Sequence, residues 1–162
     1  MVVALGCNLP GAYTSREALL EAAVSALAGE GMAVVARSNW WTSAAWPDPT
    51  GPAYLNGVVL VATVLEPADA LAALHRIEAR FGRARAERNA ARTLDLDLIA
   101  HGRTVMEGNL VLPHPRAHER LFVMGPLAEV APDWTHPLSG RTAIELAATA
   151  TVGADARPSL HP

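Results

Sequence analysis

The sequence predicts an α+β fold: a ferredoxin-like βαββαβ core with helices packed on one face of an antiparallel sheet, then a C-terminal hairpin and further helices. Two observations favour this class. Apolar patterns alternate between strand and helix periods in the order strand, helix, strand, strand, helix, strand. The length of 162 residues, without an internal repeat, suits one domain. We expect that domain to span residues 1–150, followed by a flexible tail over 151–162.

The first half of the chain supplies most of the predicted core. Val2–Leu5 is a short apolar strand that Gly6 is expected to end, and Ser15 is a suitable N-cap for the next helix. Prolines between positions 47 and 52 indicate a loop between two strands that are rich in β-formers. After the first strand, the predicted elements are a helix at 17–27, strands at 32–42 and 55–64, and a helix at 68–81.

The second half begins with an arginine-rich connection that leads into a strand containing two aspartates. The predicted elements are that strand at 92–99, a hairpin around 102–112, and helices at 122–130 and 143–150. The residues after Thr151 show no clear pattern, which is why we expect the tail to fray.

Composition and charge exclude several classes of protein. The net charge of −3 argues against a general nucleic-acid binder, and no apolar run approaches the roughly 20 residues of a membrane span. We therefore expect neither nucleic acid nor a membrane as a partner. A single cysteine, Cys7, excludes an internal disulfide and fits a reducing compartment, so we expect a cytoplasmic protein. All 13 basic residues are arginine, so only their clustering is informative.

The two aspartates of the predicted strand lie on one of its faces. Because side chains alternate with period 2, Asp95 and Asp97 share a face that is opposite to the face of Leu94, Leu96 and Leu98. Their Cα atoms are expected about 7 Å apart, where two like charges repel. A divalent cation offsets that repulsion, and carboxylate oxygens suit Mg²⁺. The alternative is a half-buried strand with a solvated acidic face.

Arginines cluster immediately before this strand. The cluster contains Arg80, Arg83, Arg85, Arg88 and Arg92. Positive charge beside two carboxylates is typical of sites for metal-complexed polyphosphate, because guanidinium groups bind the remaining phosphate oxygens. The alternative is a solvated loop in an arginine-biased protein.

Further polar candidates follow in the segment 112–122. His114 and Arg120 are interpreted as donors to phosphate, and His118 as a surface residue. The spacing of His114 and His118 could indicate zinc on a helix, but prolines on both sides of His114 argue against a shared helix. We therefore do not predict a zinc site.

An aromatic residue and an amide stand at the start of the 55–64 strand. Tyr54 and Asn56 could bind a flat heterocycle by stacking and paired hydrogen bonds. The alternative is a tyrosine and a capping asparagine at the beginning of a strand. Trp40, Trp41 and Trp46 could belong to the core, to a lid or to a pocket.

Several blocks of the sequence together resemble the 6-hydroxymethyl-7,8-dihydropterin pyrophosphokinase family of folate biosynthesis. The blocks are Tyr54-Leu55-Asn56, Arg92-Thr93-Leu94-Asp95-Leu96-Asp97-Leu98-Ile99, and Pro113-His114-Pro115 followed by Arg120-Leu121-Phe122-Val123-Met124-Gly125-Pro126-Leu127. Gly6-Cys7-Asn8-Leu9 is similar to the family's opening Gly-Ser-Asn-Leu, and Ile77-Glu78 with Gly82-Arg83 also matches the family pattern. The resemblance covers about residues 2–132. It implies Mg²⁺-dependent transfer of pyrophosphate from ATP to the pterin hydroxymethyl group, with release of AMP.

The resemblance also implies a role for each matching residue. Asp95 and Asp97 would hold two Mg²⁺ ions, and the mobile loop that closes over ATP would contribute Arg83 and Arg92 as catalytic residues. The implied ATP contacts are Arg85, Arg92, His114 and Arg120 at the phosphates, with Leu71 and Leu98 at the adenine. The implied pterin contacts are Tyr54 and Phe122 on the two ring faces, with Asn56 and the Thr42 backbone at the ring edge.

The sequence departs from the family pattern mainly on the nucleotide side. Ala90-Ala91 replaces the common Gly-Pro, Asn89 stands where some members have tryptophan, and Cys7 replaces serine. Asn109 and Val111 occupy positions where some members have polar or basic nucleotide contacts. We expect an active enzyme in which loop closure and ATP affinity are the properties most open to change.

Two other functions remain open at this point. One is another two-metal enzyme acting on phosphates, such as a phosphatase or nucleotidyltransferase, that uses the same two aspartates. The other is a non-catalytic ferredoxin-like binding module. The reaction product distinguishes the first, because a pyrophosphokinase releases AMP and the other phosphate enzymes release free phosphate or pyrophosphate. A binding module should tolerate Asp95→Ala with little change except in stability.

Overall fold

The structure is a computed structural model that describes residues 1–45, 47–82 and 93–160. In chain order its elements are β1 (Val2–Cys7), α1 (Arg16–Leu27), β2 (Ala33–Arg37), β3 (Trp41–Ser43), β4 (Tyr54–Ala62), α2 (Pro67–Arg80), β5 (Asp95–Ala100), α3 (Leu121–Val130), α4 (Ala143–Thr149) and β6 (Arg157–Pro158). Short 3₁₀ turns occupy Ala28–Glu30 and Ala117–Glu119. Among the described helices, none combines the length and apolar character needed to cross a bilayer.

The strands form one antiparallel sheet, which confirms the predicted fold class. Its order is β5-β1-β4-β3-β6, and β2 pairs with β4 beside β3. β1 therefore lies between β4 and β5 and pairs with both in antiparallel register. This arrangement places the first strand and the aspartate strand side by side, although about 90 residues separate them along the chain.

The single strand predicted over 32–42 is divided into β2 and β3. Ser38 lies at the break, where its hydroxyl accepts a hydrogen bond from the Val58 N–H at 3.0 Å and donates one to the Asn39 carbonyl at 2.7 Å. Trp40 then turns into the core over Gly57, where a Cβ would lie 2.4 Å from the indole ring. Glycine is thus required opposite this tryptophan.

The two faces of the sheet are covered by different helices. Face A is the side that packs against α1 and α2, and its strand residues include Val3, Leu5, Leu55, Val59, Leu96 and Leu98. Face B is the opposite side, which packs against α3 and α4 with Val2, Ala4, Val58 and Ile99. The sequence predicted helices on one face only, whereas α3 and α4 add a second layer on the other.

The helix boundaries follow local signals in the sequence. The Ser15 hydroxyl accepts a hydrogen bond from the Ala18 N–H at 3.0 Å, as its predicted role of N-cap requires. α2 begins at Pro67, and α4 has a capping box in which the side chains of Thr142 and Glu145 bind each other's backbone N–H.

The segment 150–160, called here the C-terminal strap, differs from the frayed tail that the sequence suggested. Its residues 157–158 form β6 and pair with β3, and the Ala156 side chain is buried. The predicted hairpin around 102–112 is reduced to one antiparallel bridge, in which Met106 and Leu112 exchange two backbone hydrogen bonds.

Candidate functional site

The polar residues of the candidate site meet where α3 and α4 leave face B uncovered. In the strand register, Gly6 of β1 lies opposite Asn56 of β4 on one side and Asp95 of β5 on the other. Ala4, two residues earlier, lies opposite Asp97. Since neighbouring strands lie about 4.8 Å apart, Asn56 and the two aspartates border a shallow trough with a floor of small residues.

Gly6 keeps this trough open. The sequence suggested that Gly6 ends the first strand, but β1 continues through it to Cys7. A Cβ at position 6 would lie 3.2 Å from the Asn56 Oδ1 atom, which is closer than most side-chain contacts. Glycine here is therefore a feature of the site and not a strand terminator.

A first cavity of about 310 Å³ opens above the trough. Tyr54 and Phe122 provide aromatic surface, and the guanidinium of Arg120 lies 5.8 Å from the centre of the Phe122 ring. The lining residues are Ala4, Leu5, Gly6, Ser43, Tyr54, Asn56, Asp95, Asp97, Arg116, Glu119, Arg120, Phe122, Val123 and Val152. An aromatic cavity with a few polar groups suits a flat heterocycle that carries hydrogen-bonding groups.

The amide of Asn56 is held in one orientation within this cavity. The residue is 5% exposed, and its Nδ2 donates a hydrogen bond to the Ser43 hydroxyl at 2.9 Å. Its Oδ1 consequently faces the Gly6 side of the trough. Thr42 does not line the cavity; it lies between Leu55 of β4 and Arg157 of β6 in the sheet, and its neighbour Ser43 reaches the cavity instead.

A second cavity of about 270 Å³ lies along β5, the edge strand, and shares Asp97 with the first. It brings together three of the residues for which the resemblance implies nucleotide contact, Leu71, Leu98 and His114. Its lining consists of Leu71, His75, Glu78, Leu96, Asp97, Leu98, Asn109, Leu110, Val111, His114 and Pro115. Two cavities that meet at one carboxylate can hold two substrates with their reacting groups close together.

His114 is fixed at the mouth of the second cavity by two backbone contacts. Its own N–H donates to the Ile99 carbonyl at 2.8 Å, and its Nδ1 accepts the Arg116 N–H at 3.2 Å. Burial lowers the pKa of the ring, and Arg120 and Arg116 also lower it, while Asp97 acts in the opposite direction. At neutral pH the ring is therefore uncharged, and its Nε2–H can donate one hydrogen bond.

Glu78 of α2 is a buried carboxylate that the residue patterns alone did not single out. It is 1% exposed and accepts a hydrogen bond from the Leu96 N–H at 3.1 Å, between the two aspartates. The sequence contained a signal for it, because position 78 follows Leu74 by four residues and Leu71 by seven on the apolar face of the helix. An acid on that face must be buried, and buried acids need partners.

Asp95 and Asp97 fit the ligand chemistry of Mg²⁺. Both side chains are half-buried and line the first cavity, and both offer hard oxygen atoms. Within the described residues there is no group of three or more His, Cys, Asp or Glu side chains arranged to hold a metal. A pair of carboxylates is nevertheless sufficient for Mg²⁺, which usually keeps waters and takes substrate phosphates as its other ligands.

The arginine cluster is only partly described. Arg83, Arg85, Arg88 and Arg92 lie outside the described residues, as does Trp46. Arg80 forms a surface ion pair with Glu30 at 3.8 Å. The described residues on either side of positions 83–92 contact each other, because the Thr93 hydroxyl donates a hydrogen bond to the Phe81 carbonyl at 2.9 Å. The Phe81 ring also stacks on Tyr13.

Other residues considered from the sequence lie away from the two cavities. His118, expected at the surface, has a side chain that is 39% exposed, and its ring lies 5.5 Å from His136. Trp41 packs on Gly125 of α3. Burial raises the pKa of Cys7 to about 12, so this thiol stays protonated and unreactive.

Comparison with known proteins shows the family to which the chain belongs. The sequence profile of the 7,8-dihydro-6-hydroxymethylpterin-pyrophosphokinase (HPPK) family matches residues 2–132. A Synechocystis sp. protein named 2-amino-4-hydroxy-6-hydroxymethyldihydropteridine pyrophosphokinase is 44% identical over 147 residues, which cover 90% of this chain and 73% of that protein. A Methylorubrum extorquens protein of the same name is 40% identical over 131 residues, covering 80% of each chain.

Solved structures show the same fold in more distant proteins. The crystal structure of wild-type Plasmodium falciparum HPPK-DHPS with pteroate matches with a TM-score of 0.71 at 12% identity. That match covers 91% of this chain and 41% of the longer Plasmodium chain. The fold similarity, the profile match and the identity to the two bacterial proteins agree, and this chain belongs to the 7,8-dihydro-6-hydroxymethylpterin-pyrophosphokinase family.

Proposed function

We propose that this protein transfers the pyrophosphate group of ATP to the hydroxymethyl group of 6-hydroxymethyl-7,8-dihydropterin, releasing AMP and the pterin diphosphate in folate biosynthesis. The observation that carries the proposal is the pair of cavities that share Asp97. The first cavity has aromatic walls and a fixed amide, and the second has aliphatic walls and a neutral histidine. Both substrates are small molecules, and we place the reaction in the cytoplasm.

The pterin occupies the first cavity in this proposal. Tyr54 and Phe122 contact the faces of the ring, and the Asn56 amide binds its polar edge. Asn56 meets the ring in a defined orientation because Ser43 holds its Nδ2 atom. The Thr42 backbone is included on the resemblance alone, since Ser43 is the β3 residue that lines the cavity.

ATP occupies the second cavity, with its phosphates directed toward the aspartates. Leu71 and Leu98 contact the adenine, and the Nε2–H of His114 donates to a phosphate oxygen. Arg120 reaches the same phosphates from the first cavity. The resemblance adds Arg83, Arg85 and Arg92 as further phosphate ligands, and these three lie outside the described residues.

Asp95 and Asp97 hold two Mg²⁺ ions in the proposal. Bound Mg²⁺ neutralises phosphate charge and polarises the phosphoryl oxygens. The residues of the chain supply the positioning: Asp97 borders both cavities, so the pterin hydroxyl and the ATP phosphates meet beside it. Phosphoryl transfer needs mainly such alignment and charge stabilisation, and Arg120 and His114 donate to the phosphates without changing their own protonation.

A product assay tests the reaction directly. The purified protein is incubated with Mg²⁺, ATP and the pterin, and the nucleotides are separated. We expect AMP only when the pterin is present, and about a thousandfold less of it from Asp97→Asn, while the matched surface control Asp133→Asn behaves as the wild type. AMP formed without the pterin, or ADP or free phosphate in its place, would favour another two-metal phosphotransfer enzyme. Binding of the pterin without any product would favour a non-catalytic module.

A further inference from the structure

The C-terminal strap joins the two walls of the first cavity. It lies beyond residues 2–132, which match the family profile, so the family comparison assigns it no role. One wall is the beginning of α3, which carries Phe122, and the other is β3 together with the chain that follows it. The strap contacts both walls, and its residue Val152 lines the cavity itself.

At the first wall, the strap completes the N-terminus of α3. The first N–H groups of a helix have no partner within it, and the side chain of Arg120, the N-cap residue, makes no capping hydrogen bond. The Val152 carbonyl accepts the Leu121 N–H at 2.9 Å, and the Thr151 and Val152 N–H groups donate to the Glu119 carbonyl at 3.1 and 2.9 Å. These three bonds hold the turn from which Phe122 projects.

Gly153 sets the position of the Phe122 ring. Its φ of +66° is a left-handed value that favours glycine. A Cβ at this position would lie 2.4 Å from Cδ1 and 3.0 Å from Cε1 of the ring, so any side chain would push the ring away. The strap backbone thus packs directly against the aromatic residue that lines the cavity.

At the second wall, the strap holds the chain where it leaves β3. The Asp155 carboxylate accepts the Ala44 N–H at 2.6 Å, one residue after Ser43. β6 pairs with Trp41 and Thr42 of β3, and the Ser159 N–H donates to the Trp40 carbonyl at 2.7 Å. The strand that fixes the Asn56 amide through Ser43 is therefore itself fixed by the strap.

We propose that Gly153 and Asp155 are positioning residues for the pterin, Gly153 through the Phe122 ring and Asp155 through the backbone beside Ser43. The inference rests on the proposed function, since it assigns the pterin to the first cavity. It predicts that changes in the strap alter the use of the pterin and leave the use of ATP almost unaffected, because no strap residue lines the second cavity.

The first test is Gly153→Ala with Gly140→Ala as the matched control. Gly140 has nearly the same φ, +71°, but open space around its missing Cβ, so it shares the backbone strain without the clash. The chain contains two phenylalanines, Phe81 and Phe122, and their ring signals in NMR report local position separately. We expect Gly153→Ala to shift the Phe122 signals and leave those of Phe81, and to raise the pterin KM about threefold to tenfold with the ATP KM unchanged.

The second test removes the contact at Ala44. Asp155→Ala should raise the pterin KM by about threefold to tenfold, because the Ala44 N–H loses its acceptor and the chain after Ser43 is no longer held by the strap. Asp155→Asn keeps an oxygen acceptor and should restore most of the affinity, and Asp133→Ala is the control for loss of a surface acid. A role limited to stability would lower the apparent kcat in proportion to the unfolded fraction and would not raise the pterin KM selectively.

The two proposals can fail separately. If Gly153→Ala leaves the Phe122 signals unchanged, or weakens ATP and pterin equally, the positioning role is wrong. If the wild type makes no AMP with the pterin while Gly153→Ala still displaces Phe122, the pyrophosphokinase assignment is wrong and the strap still positions the ring.

Discussion

The two faces of the sheet arise from the same alternating strand pattern but differ in what covers them. On face A, α1 and α2 pack on the strands, and Leu5, Leu55 and Leu96 are all nearly inaccessible. On face B, α3 and α4 cover only the end that carries Val58 and Ile99. The other end of face B carries small and polar residues, and both cavities meet there at Asp97.

This difference shows how one fold separates stability from function. Each strand contributes to both faces, so β5 buries its leucines on face A and presents its aspartates on face B. Substitutions on the part of face A that lies away from the second cavity, such as those at α1, should therefore reduce stability and leave the chemistry of the folded protein intact. Substitutions at the open end of face B should do the reverse.

The largest effect is expected for Asp97→Asn. It removes the carboxylate that both cavities share, and we expect kcat to fall by about a thousandfold, comparable with the loss of a main electrostatic group in other enzymes. Relief of repulsion from Asp95 should leave the Tm unchanged or slightly higher. Activity and thermal unfolding are measured on the same preparation, and a large fall in Tm would contradict the separation of the two faces.

Leu20→Ala tests face A in the same way. The side chain lies on α1 and is completely buried, so its truncation should lower the free energy of unfolding by about 2–5 kcal/mol. The kcat per folded molecule should stay at the wild-type value. Urea unfolding gives the stability, and a loss of kcat at temperatures where the variant is fully folded would show that the faces are coupled.

Glu78→Ala tests the connection between the faces. The carboxylate on α2 accepts the Leu96 N–H of β5, and its loss leaves that buried group without this acceptor. We expect the free energy of unfolding to fall by about 1–3 kcal/mol and the ATP KM to rise, since Glu78 also lines the second cavity. Glu78→Gln keeps an acceptor and should recover most of the stability; equal losses in both variants would assign the effect to charge and not to the hydrogen bond.

The sequence predicted the parts of this comparison that depend on local periodicity. Alternation over 93–99 correctly separated the buried leucines from the aspartates at the cavity, and Ser15 correctly marked the start of α1. Periodicity assigns side chains to faces, but it does not tell which face receives a second layer. That depends on where α3 and α4 return to the sheet, which is a property of long-range packing.

The same limit explains the residues that sequence reasoning missed. Gly6 was expected to end the first strand. Its actual position between Asn56 and Asp95 depends on the register of three strands, which local sequence does not show. The C-terminal strap has few large apolar residues, and its contact between Asp155 and Ala44 spans 111 positions of the chain. Arg80 was grouped with the phosphate-binding arginines, but Glu30 from another element is its partner in the described structure.

Gly6→Ala should have a smaller effect that is confined to the open end of face B. The added Cβ would lie 3.2 Å from the Asn56 Oδ1 atom and would displace the amide by a few tenths of an ångström. We expect the pterin KM to rise about tenfold, as for a displaced polar contact of roughly 1.4 kcal/mol, with the ATP KM unchanged. Gly29→Ala is the control, because nothing lies within 4 Å of its Cβ position. If both variants change the pterin KM equally, the contact between position 6 and the Asn56 amide does not explain the effect.

The smallest effect concerns the pH dependence of stability that arises from the helical layer on face B. The His136 Nδ1 atom accepts the N–H groups of Leu138 and Ser139, both at 3.2 Å, and the ring lies against His118 and Trp134. Burial, and then the charge of His118, lowers the pKa of His136 in the folded protein below its ordinary value of 6.5. Below pH 6.5 the unfolded chain therefore binds a proton that the folded chain resists.

It follows that the free energy of unfolding falls as the pH decreases below 6.5, and that this group adds no pH dependence above that value. His136→Asn supplies an uncharged oxygen to the same two N–H groups and should reduce the slope of Tm against pH between pH 5 and 6.5. Part of the slope should remain, because burial also lowers the pKa of His114. If the slope is the same in the variant, protonation of His136 does not destabilise the layer that α3 and α4 form on face B.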